Sequence, residues 1–531
     1  MEEMGRASEK TTTILDFFGI LLYNTSIRME AKLGQSGTGN PVSLFVSGGI
    51  SVYDVLIIGC GITGAAAAFM LSKYRLKIGI LEKENDIAQG ATKANSAILH
   101  AGYDPEPGTL MAKLNVRGSV LAGELCEQLD VPYRRCGSMV LAFSREEEGS
   151  LKTLLTRGEK NGVRGLRILT GDEAKTMEPA LSPDVRAALL APTAAICSPW
   201  EMCLALAETA VENGAELFLE TRVTGIGREK EGWTVYTSRG SYQSRFVINA
   251  AGVSAGEIHD MASSHSFTVR PSRGEYYLLD KSEGSRVNHV LFQCPNENGK
   301  GVLVAPTVHG NLIVGPSADA VVGNNTANSA AGMAFVREKA LKSVPSVDFR
   351  QSIRNFAGVR ARSDRGDFVI ELSPDAPGFL DLAGICSPGL SAAPAIAEYA
   401  VKLLGSAGLP LAEKEDFLCE RHRIRFKELP ADQKAALIKK DPAYGRVVCR
   451  CETVTEGEIL ACFRAPIPPR SVDGVKRRVN AGMGRCQGGF CGPRVVELLS
   501  RELGVSPGDI VQDRADSRIL LCRTKGDGEH V

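Results

Sequence analysis

Apolar residues along the chain change period several times, and each change marks an element. The run YDVLII at 53–58 is short, apolar and β-rich; glycines follow it, then the Ala-rich segment 65–74, then a second apolar run at 77–81. Short apolar runs bounded by glycine are the pattern of buried strands, so these segments predict strand, turn, helix, strand. Further strands are predicted at 137–143, 217–218, 233–237 and 246–249, with helices at 112–129 and 199–213. Such alternation describes an α/β chain whose sheet is re-entered repeatedly. From 267 to 316 the pattern differs: YYLL, HVLFQC, GVLVAP and NLIVG are short β-rich segments with little helix between them, as a mostly antiparallel second domain requires. Strand pattern resumes at 378–384, a helix is predicted at 391–404, and a charged stretch at 413–440 leads to a cysteine-containing tail.

At 531 residues and 44% hydrophobic, the chain can bury several cores, in roughly three or four structural units. Lys+Arg and Asp+Glu both total 62, which removes any global field toward nucleic acid or an acidic membrane surface. No apolar run approaches the ~18 residues of a spanning helix, so no direct membrane insertion is expected. The apolar stretch at 14–23 follows Glu2, Glu3 and Glu9 rather than the basic start of a secretory signal, so residues 1–50 are expected to be a poorly ordered extension. A translation start placed too far upstream is a competing reading. Of the fourteen cysteines, those before residue 440 lack paired spacing, which points to reduced thiols in a cytoplasmic setting.

Gly59, Gly61 and Gly64 form G-x-G-x-x-G between the first strand and the first helix, and Glu82 ends the next strand. The first glycine permits a tight turn, the second lets backbone approach a pyrophosphate, and the third lets helix and strand pack closely. The helix N-terminus attracts phosphate charge, and a carboxylate at Glu82 can accept from both ribose hydroxyls. That acidic residue disfavours a 2′-phosphate ligand. Whether the dinucleotide is NAD or FAD depends on three later segments, which together favour FAD. GATKANSAILHAG at 90–102 places Thr92, Asn95 and Ser96 as donors to pyrophosphate and flavin edges; VINAAG at 247–252 ends a strand in small residues; and AGICSPGLS at 383–391 opens a helix whose positive end suits a reduced flavin.

These segments carry a resemblance. Residues 53–405 resemble the D-amino-acid-oxidase-like flavoprotein superfamily, especially its glycerol-3-phosphate dehydrogenase and L-2-hydroxyglutarate oxidase branches, through YDVLIIGCGITG, TKANSAILHAGYD, VINAAG, RGEYYLLD, PTVHGNLIVGP, AGVRAR and SPGLSAAPAIAE. The resemblance implies a Rossmann-like FAD-binding domain (51–135, 195–262 and 355–405) and a mixed or antiparallel-sheet substrate domain (136–194 and 263–354). It implies that Gly59, Gly61, Ile62, Thr63 and Gly64 hold FAD with Glu82 and Lys83, then Thr92, Asn95 and Ser96. Val223, Ala251, Gly252, Arg360, Gly389 and Leu390 complete the implied set. The catalytic base is left open, because branches of the superfamily differ there.

Cys449 and Cys451 form C-x-C, and Cys486 and Cys491 form C-x4-C within AGMGRCQGGFCGP. Two close pairs can wrap a compact metal centre, and the glycines let backbone N–H groups point at sulfurs, which favours an iron–sulfur centre over a bare ion. Zinc on four thiolates is the main competitor, although C-x-C fits zinc-knuckle spacing poorly. VCRCETVTEGEI and GMGRCQGGFCGPRV resemble the bacterioferritin-associated-ferredoxin-like [2Fe-2S] domain appended to the anaerobic type of glycerol-3-phosphate dehydrogenase large subunit. That resemblance implies a linker at 406–440, a small helical [2Fe-2S] domain at 441–503 and a tail at 504–531. Cys462, between the pairs, is expected to pack in a helix.

A flavin takes a hydride from a carbon bearing a hydroxyl or amine, aided by a base and by cations on the substrate's anionic end. His100 is the candidate base, with a structural histidine as the bland reading; His309 is expected to be structural. Arg273 and Arg362 are candidate anion clamps, because a guanidinium forks onto phosphate or carboxylate, with surface salt bridging as the alternative. Lys93 is expected either near the flavin ring or merely solvated. By resemblance the substrate is sn-glycerol 3-phosphate, or a 2-hydroxy acid such as L-2-hydroxyglutarate. The electrons then pass to an electron-accepting partner subunit, a second flavoprotein or iron–sulfur protein that could hold the chain at the inner face of the membrane. An electron-transfer subunit that has lost turnover is the reading from another class.

Overall fold

The computed structural model describes residues 52–295 and 301–522, so the extension expected at 1–50 lies outside the described residues. Val52–Ile58 (β1) buries Val55, Leu56 and Ile57 completely, as a strand covered on both faces must. It pairs in parallel with Ile78–Leu81 (β2) on one side and with Gly240–Asn249 on the other. Between β1 and β2 runs Ile62–Leu71 (α1), which starts earlier than its Ala-rich run suggested and is buried from residue 63 to its end. These strands belong to an eight-stranded sheet that also takes in Glu216–Phe218, Val223–Glu229, Gly232–Thr237 and Phe379–Ala383. Because β1 has parallel neighbours on both sides, its carboxyl end is a topological switch point, where open α/β sheets place ligands.

The β-rich middle of the chain forms a second sheet of nine strands, mostly antiparallel, with one parallel pair between Val290–Gln293 and Ser138–Ala142. Its longest ladder joins Val269–Leu279 (β3) to Ser352–Ser363 (β4). Two helices that the apolar pattern did not reveal, Arg145–Lys160 and Ala330–Ser343, also belong to this middle region. Gly389–Ser406 (α2) then returns to pack against α1.

The charged stretch holds a helix, Ala431–Lys440. Beyond it, Glu456–Cys462 (α3), Val472–Val479 (α4) and Gly492–Leu503 (α5) enclose a small core of their own that includes Val448, Ile459, Val475, Val495 and Leu498. A capping box starts α3: Thr455 Oγ1 accepts from Glu458 N while the Glu458 carboxylate accepts from Thr455 N. Cys462 closes α3 as a buried side chain. All fourteen cysteines are free, and no helix among the described residues is long and apolar enough to cross a membrane.

Candidate functional site

A cleft of about 900 Å³ opens at the carboxyl end of β1. Its floor is the glycine turn. Gly59 has φ +97°, and a Cβ there would lie 2.6 Å from Ala250 O; a Cβ on Gly64 would lie 2.0 Å from Gly59 O. Neither contact is tolerable, so the turn can be this tight only without side chains. Gly64 sits behind the cleft for this reason, whereas Gly59, Gly61, Ile62 and Thr63 line it. Glu82 is buried beside them, its Oε2 accepting from Cys60 N at 2.8 Å and its Oε1 from Glu84 N at 3.0 Å. Burial raises the Glu82 pKa above its ordinary value, and those two N–H groups oppose the rise. Each oxygen keeps a lone pair for a further donor.

The loop after β2 braces itself. Thr92 Oγ1 accepts from Ile62 N at 2.9 Å, and Asn95 donates to Thr92 O at 2.9 Å while accepting from Ala97 N at 2.7 Å. Thr92, Asn95 and Ser96 all line the cleft, yet the Asn95 amide shapes the loop instead of being held ready for a ligand. Lys83, Val223, Ala251, Gly252, Arg360, Gly389 and Leu390 line the cleft as well. Helices α1 and α2 both begin without a side-chain cap and without an acidic residue in the first turn, and both starts face this cleft. Two uncapped N-termini present partial positive charge and donor N–H groups to one elongated space. With a pyrophosphate cradle at one end and a second helix start at the other, the residues fit FAD.

His100, Arg273 and Arg362 border the cleft too. His100 is half-buried, its Nε2 3.3 Å from Ser387 Oγ and its ring stacked on Phe292 with centroids 5.7 Å apart; its backbone N–H donates to Ser391 Oγ at 2.7 Å. The arginines are not equivalent. On the β3–β4 ladder Arg360 stands opposite Ser272 and Arg362 opposite Arg270, whereas Arg273 stands opposite Val359. Directly paired residues share a face, so Arg360 and Arg362 leave one side of the sheet and Arg273 the other. Arg273 donates to Ala327 O at 2.6 Å and lies 3.9 Å from Asp319. The buried Glu275 carboxylate on the same face accepts from Ser317 Oγ and from Ser329, tying down that loop. The aromatic and apolar wall formed by Tyr276, Phe292 and Leu303 was not predicted.

His309, the other candidate histidine, stacks on Trp200 and lies 3.6 Å from Glu201, away from the cleft lining. Lys93 donates to Gln89 Oε1 at 2.6 Å and pairs with Asp513, so it is not simply solvated.

The four spaced cysteines meet in the small module. Cys451 and Cys486 are exposed with their sulfurs 3.7 Å apart, while Cys449 and Cys491 are buried and hydrogen-bonded to each other. A Cβ on Gly484 would lie 2.2 Å from Cys451 Cβ, so only glycine lets the two cysteine loops approach. The Cys449 thiol is pushed down to about 6, first by Cys491 and then by the N–H groups of Gly482 and Glu452; at Cys486 the N–H groups of Phe490 and Gly488 act in the same sense. Backbone donors aimed at sulfur suit an electron-rich cluster. Four thiols brought together in one small module are the donor set that a [2Fe-2S] cluster would need.

This module is fixed to the rest of the chain by buried charge. The Asp86 carboxylate, on the loop after β2, accepts from Arg477 at 2.9 Å and from both Nη atoms of Arg478 at 2.8 and 2.9 Å. Burial alone would raise its pKa, but the two guanidiniums outweigh it and hold the group well below the usual carboxylate range. On the cysteine side, Lys281 pairs with Glu452 at 2.7 Å and Arg354 donates to Gln487 at 3.3 Å, so the cluster loops rest on the ends of β3 and β4. From Arg354 to Arg360 in the cleft is about 20 Å of extended strand, at roughly 3.3 Å per residue.

Comparison with known proteins agrees with this geometry. The DAO family of FAD dependent oxidoreductases matches residues 54–403, and the BFD-like [2Fe-2S] binding domain matches residues 447–501. A glycerol 3-phosphate dehydrogenase of Caloramator mitchellensis is 47% identical over 478 residues, covering 90% of this chain and 100% of the relative. An L-2-hydroxyglutarate dehydrogenase of Indibacter alkaliphilus is 31% identical over 272 residues, 50% of this chain and 68% of that one. Among solved structures, dithionite-reduced L-α-glycerophosphate oxidase of Mycoplasma pneumoniae with FAD bound matches with a TM-score of 0.67 at 30% identity, covering 71% of this chain and 99% of that one. The cofactors are FAD and a [2Fe-2S] cluster, and the chain belongs to the DAO family of FAD dependent oxidoreductases, with a BFD-like [2Fe-2S] domain following the flavin-binding part.

Proposed function

We propose that the chain oxidises sn-glycerol 3-phosphate to dihydroxyacetone phosphate and passes the electrons through its [2Fe-2S] centre to a partner. The observation that carries this reading is the glycerol 3-phosphate dehydrogenase that aligns over its whole length and over 90% of this chain. FAD held by the glycine turn, Glu82 and the starts of α1 and α2 would supply the hydride-accepting chemistry. His100 takes the proton from the C2 hydroxyl, oriented by its contacts with Ser387 and Phe292. Arg362, on the same face of β4 as Arg360 and lining the cleft, holds the phosphate as a charge-assisted fork. Arg273 orders the loop that bears Ala327 and Asp319. Tyr276, Phe292 and Leu303 keep water from the reacting carbon.

The same guanidiniums would fork onto a carboxylate, and the match to an L-2-hydroxyglutarate dehydrogenase supports that second reading of the substrate. Anaerobic addition of either compound to the purified protein, followed by flavin absorbance, chooses between them. Bleaching by glycerol 3-phosphate alone is expected; bleaching by L-2-hydroxyglutarate alone overturns the first reading, and bleaching by neither favours an electron-transfer subunit without turnover. The electron acceptor is taken to be a second flavoprotein or an iron–sulfur protein. The exposure of Cys451 and Cys486, beside exposed Phe490 under the Arg450 guanidinium, supports transfer to a docked protein.

A further inference from the structure

The C-terminal side of the cluster module makes a turn whose tip is built in advance. Val472 N donates to Val511 O at 3.1 Å and Asp473 N to Gln512 O at 2.8 Å, which hangs the segment on the start of α4. Gln512 N donates to Ser517 O at 2.7 Å and Asp513 N to Ser517 Oγ at 2.9 Å, closing the turn on itself. The tip reaches the loop that follows Glu82. There the Asp513 carboxylate joins Lys93 to Arg477, and Asn85 donates to the Asp513 carbonyl at 2.8 Å. The next side chain, Arg514, lines the same cleft as the glycine turn, with its Nε 3.9 Å from a Glu84 oxygen.

We propose that this turn is a wall of the flavin site and that Arg514 contacts the ADP half of bound FAD. Glu82 and Glu84 mark that half of the cleft, because Glu82 is the ribose carboxylate of the nucleotide fold. A guanidinium beside two carboxylates offsets their charge against a doubly anionic pyrophosphate, and it can also lie flat on a purine. The flavin family matches only residues 54–403, so Arg514 is a ligand contact supplied from outside it, after the end of the [2Fe-2S] match at 501. The consequence is linkage: the flavin is held more tightly when the cluster module is docked, and the module docks more tightly when flavin is bound.

The test uses apoprotein stripped of FAD with its cluster intact. FAD affinity is read from quenching of flavin fluorescence, and ADP affinity from calorimetry, for the wild type, Arg514→Ala, Arg514→Gln and Asp513→Asn. Expected is a Kd for FAD about tenfold weaker in both Arg514 variants, equal to about 1.4 kcal/mol, with ADP weakened by a similar factor. The cluster's visible spectrum should be unchanged. Asp513→Asn, which loosens the tip, should weaken both ligands in the same direction. Unchanged FAD affinity in either Arg514 variant overturns the contact, and weaker FAD binding with unchanged ADP binding overturns its assignment to the ADP half. Should Arg514→Ala not fold, Arg514→Gln keeps the side-chain stem and decides alone.

Discussion

Removing the Asp86 carboxylate should break the joint between the flavin-binding part and the cluster module. Asp86 is 1% exposed, and Arg478 beside it is 2% exposed. In Asp86→Ala, Arg478 keeps only the carbonyls of Ile467 and Gly474, while Arg477 keeps Asp513. Arg478 is then buried without a hydrogen-bonded carboxylate, with Glu208 acting on it only at longer range, and deleting one partner of a buried pair costs about 3–5 kcal/mol. With a urea m-value on the order of 3 kcal/mol/M, the unfolding midpoint should fall by about 1 M or more. Asp86→Asn keeps the shape and one acceptor and should lie between the variant and the wild type. The assay is urea unfolding followed separately by cluster absorbance and by release of fluorescent FAD. The two signals should part in Asp86→Ala, the cluster module loosening first. A midpoint shift under about 0.3 M, with the signals still coincident, would show that the buried charges do not fix the module.

Four other outcomes follow from the geometry. Gly64→Ala places a Cβ 2.0 Å from Gly59 O, so the protein should be purified without flavin, and a Gly64→Ala protein that releases fluorescent flavin on denaturation would refute the tight-turn reading. Burial holds the Glu82 pKa above its ordinary 4.5 in the free protein, whereas two ribose hydroxyl donors favour the ionised form; FAD should therefore bind fully above that raised pKa and more weakly as pH falls through it. Glu82→Gln should flatten this dependence, and a wild-type FAD affinity that does not change between neutrality and 4.5 contradicts it. Arg362→Ala should raise the KM for glycerol 3-phosphate by roughly 10–100-fold, the worth of one or two charge-assisted bonds, and Arg273→Ala should affect it much less. If the two arginines matter equally, the register argument fails. Cys449→Ser should remove the cluster's absorbance while leaving substrate bleaching of the flavin intact, and loss of both would contradict separate sites.

The nucleotide end of the site was legible because its determinants are local: three glycines, one strand, one helix and Glu82 lie within 53–82. The cysteines were legible through spacing, but which sulfurs approach was not, because Cys451 meets Cys486 across 35 residues. Helix Arg145–Lys160 escaped detection since it buries only Leu151, Leu154 and Gly158, too few for a clear period. Strand Ser352–Ser363 sets polar or charged residues at both ends of a short Phe356–Val359 stretch, so it gave no long apolar run. The face on which Arg273 lies depends on its register with Val359, which no local pattern encodes. The Asp86 cluster is the extreme case: its arginines lie 391 and 392 residues away, and three isolated charges carry no periodic signal.

The flavin cleft and the four cysteines belong to one compact unit, and substrate electrons are proposed to travel from one to the other. Anaerobic addition of glycerol 3-phosphate to the holoprotein, frozen and read by electron paramagnetic resonance, tests it directly. The expected result is a reduced [2Fe-2S] signal that grows as the flavin bleaches and is missing in Cys486→Ser, whose flavin still bleaches. A flavin that bleaches completely while the wild-type cluster stays oxidised would contradict the relay.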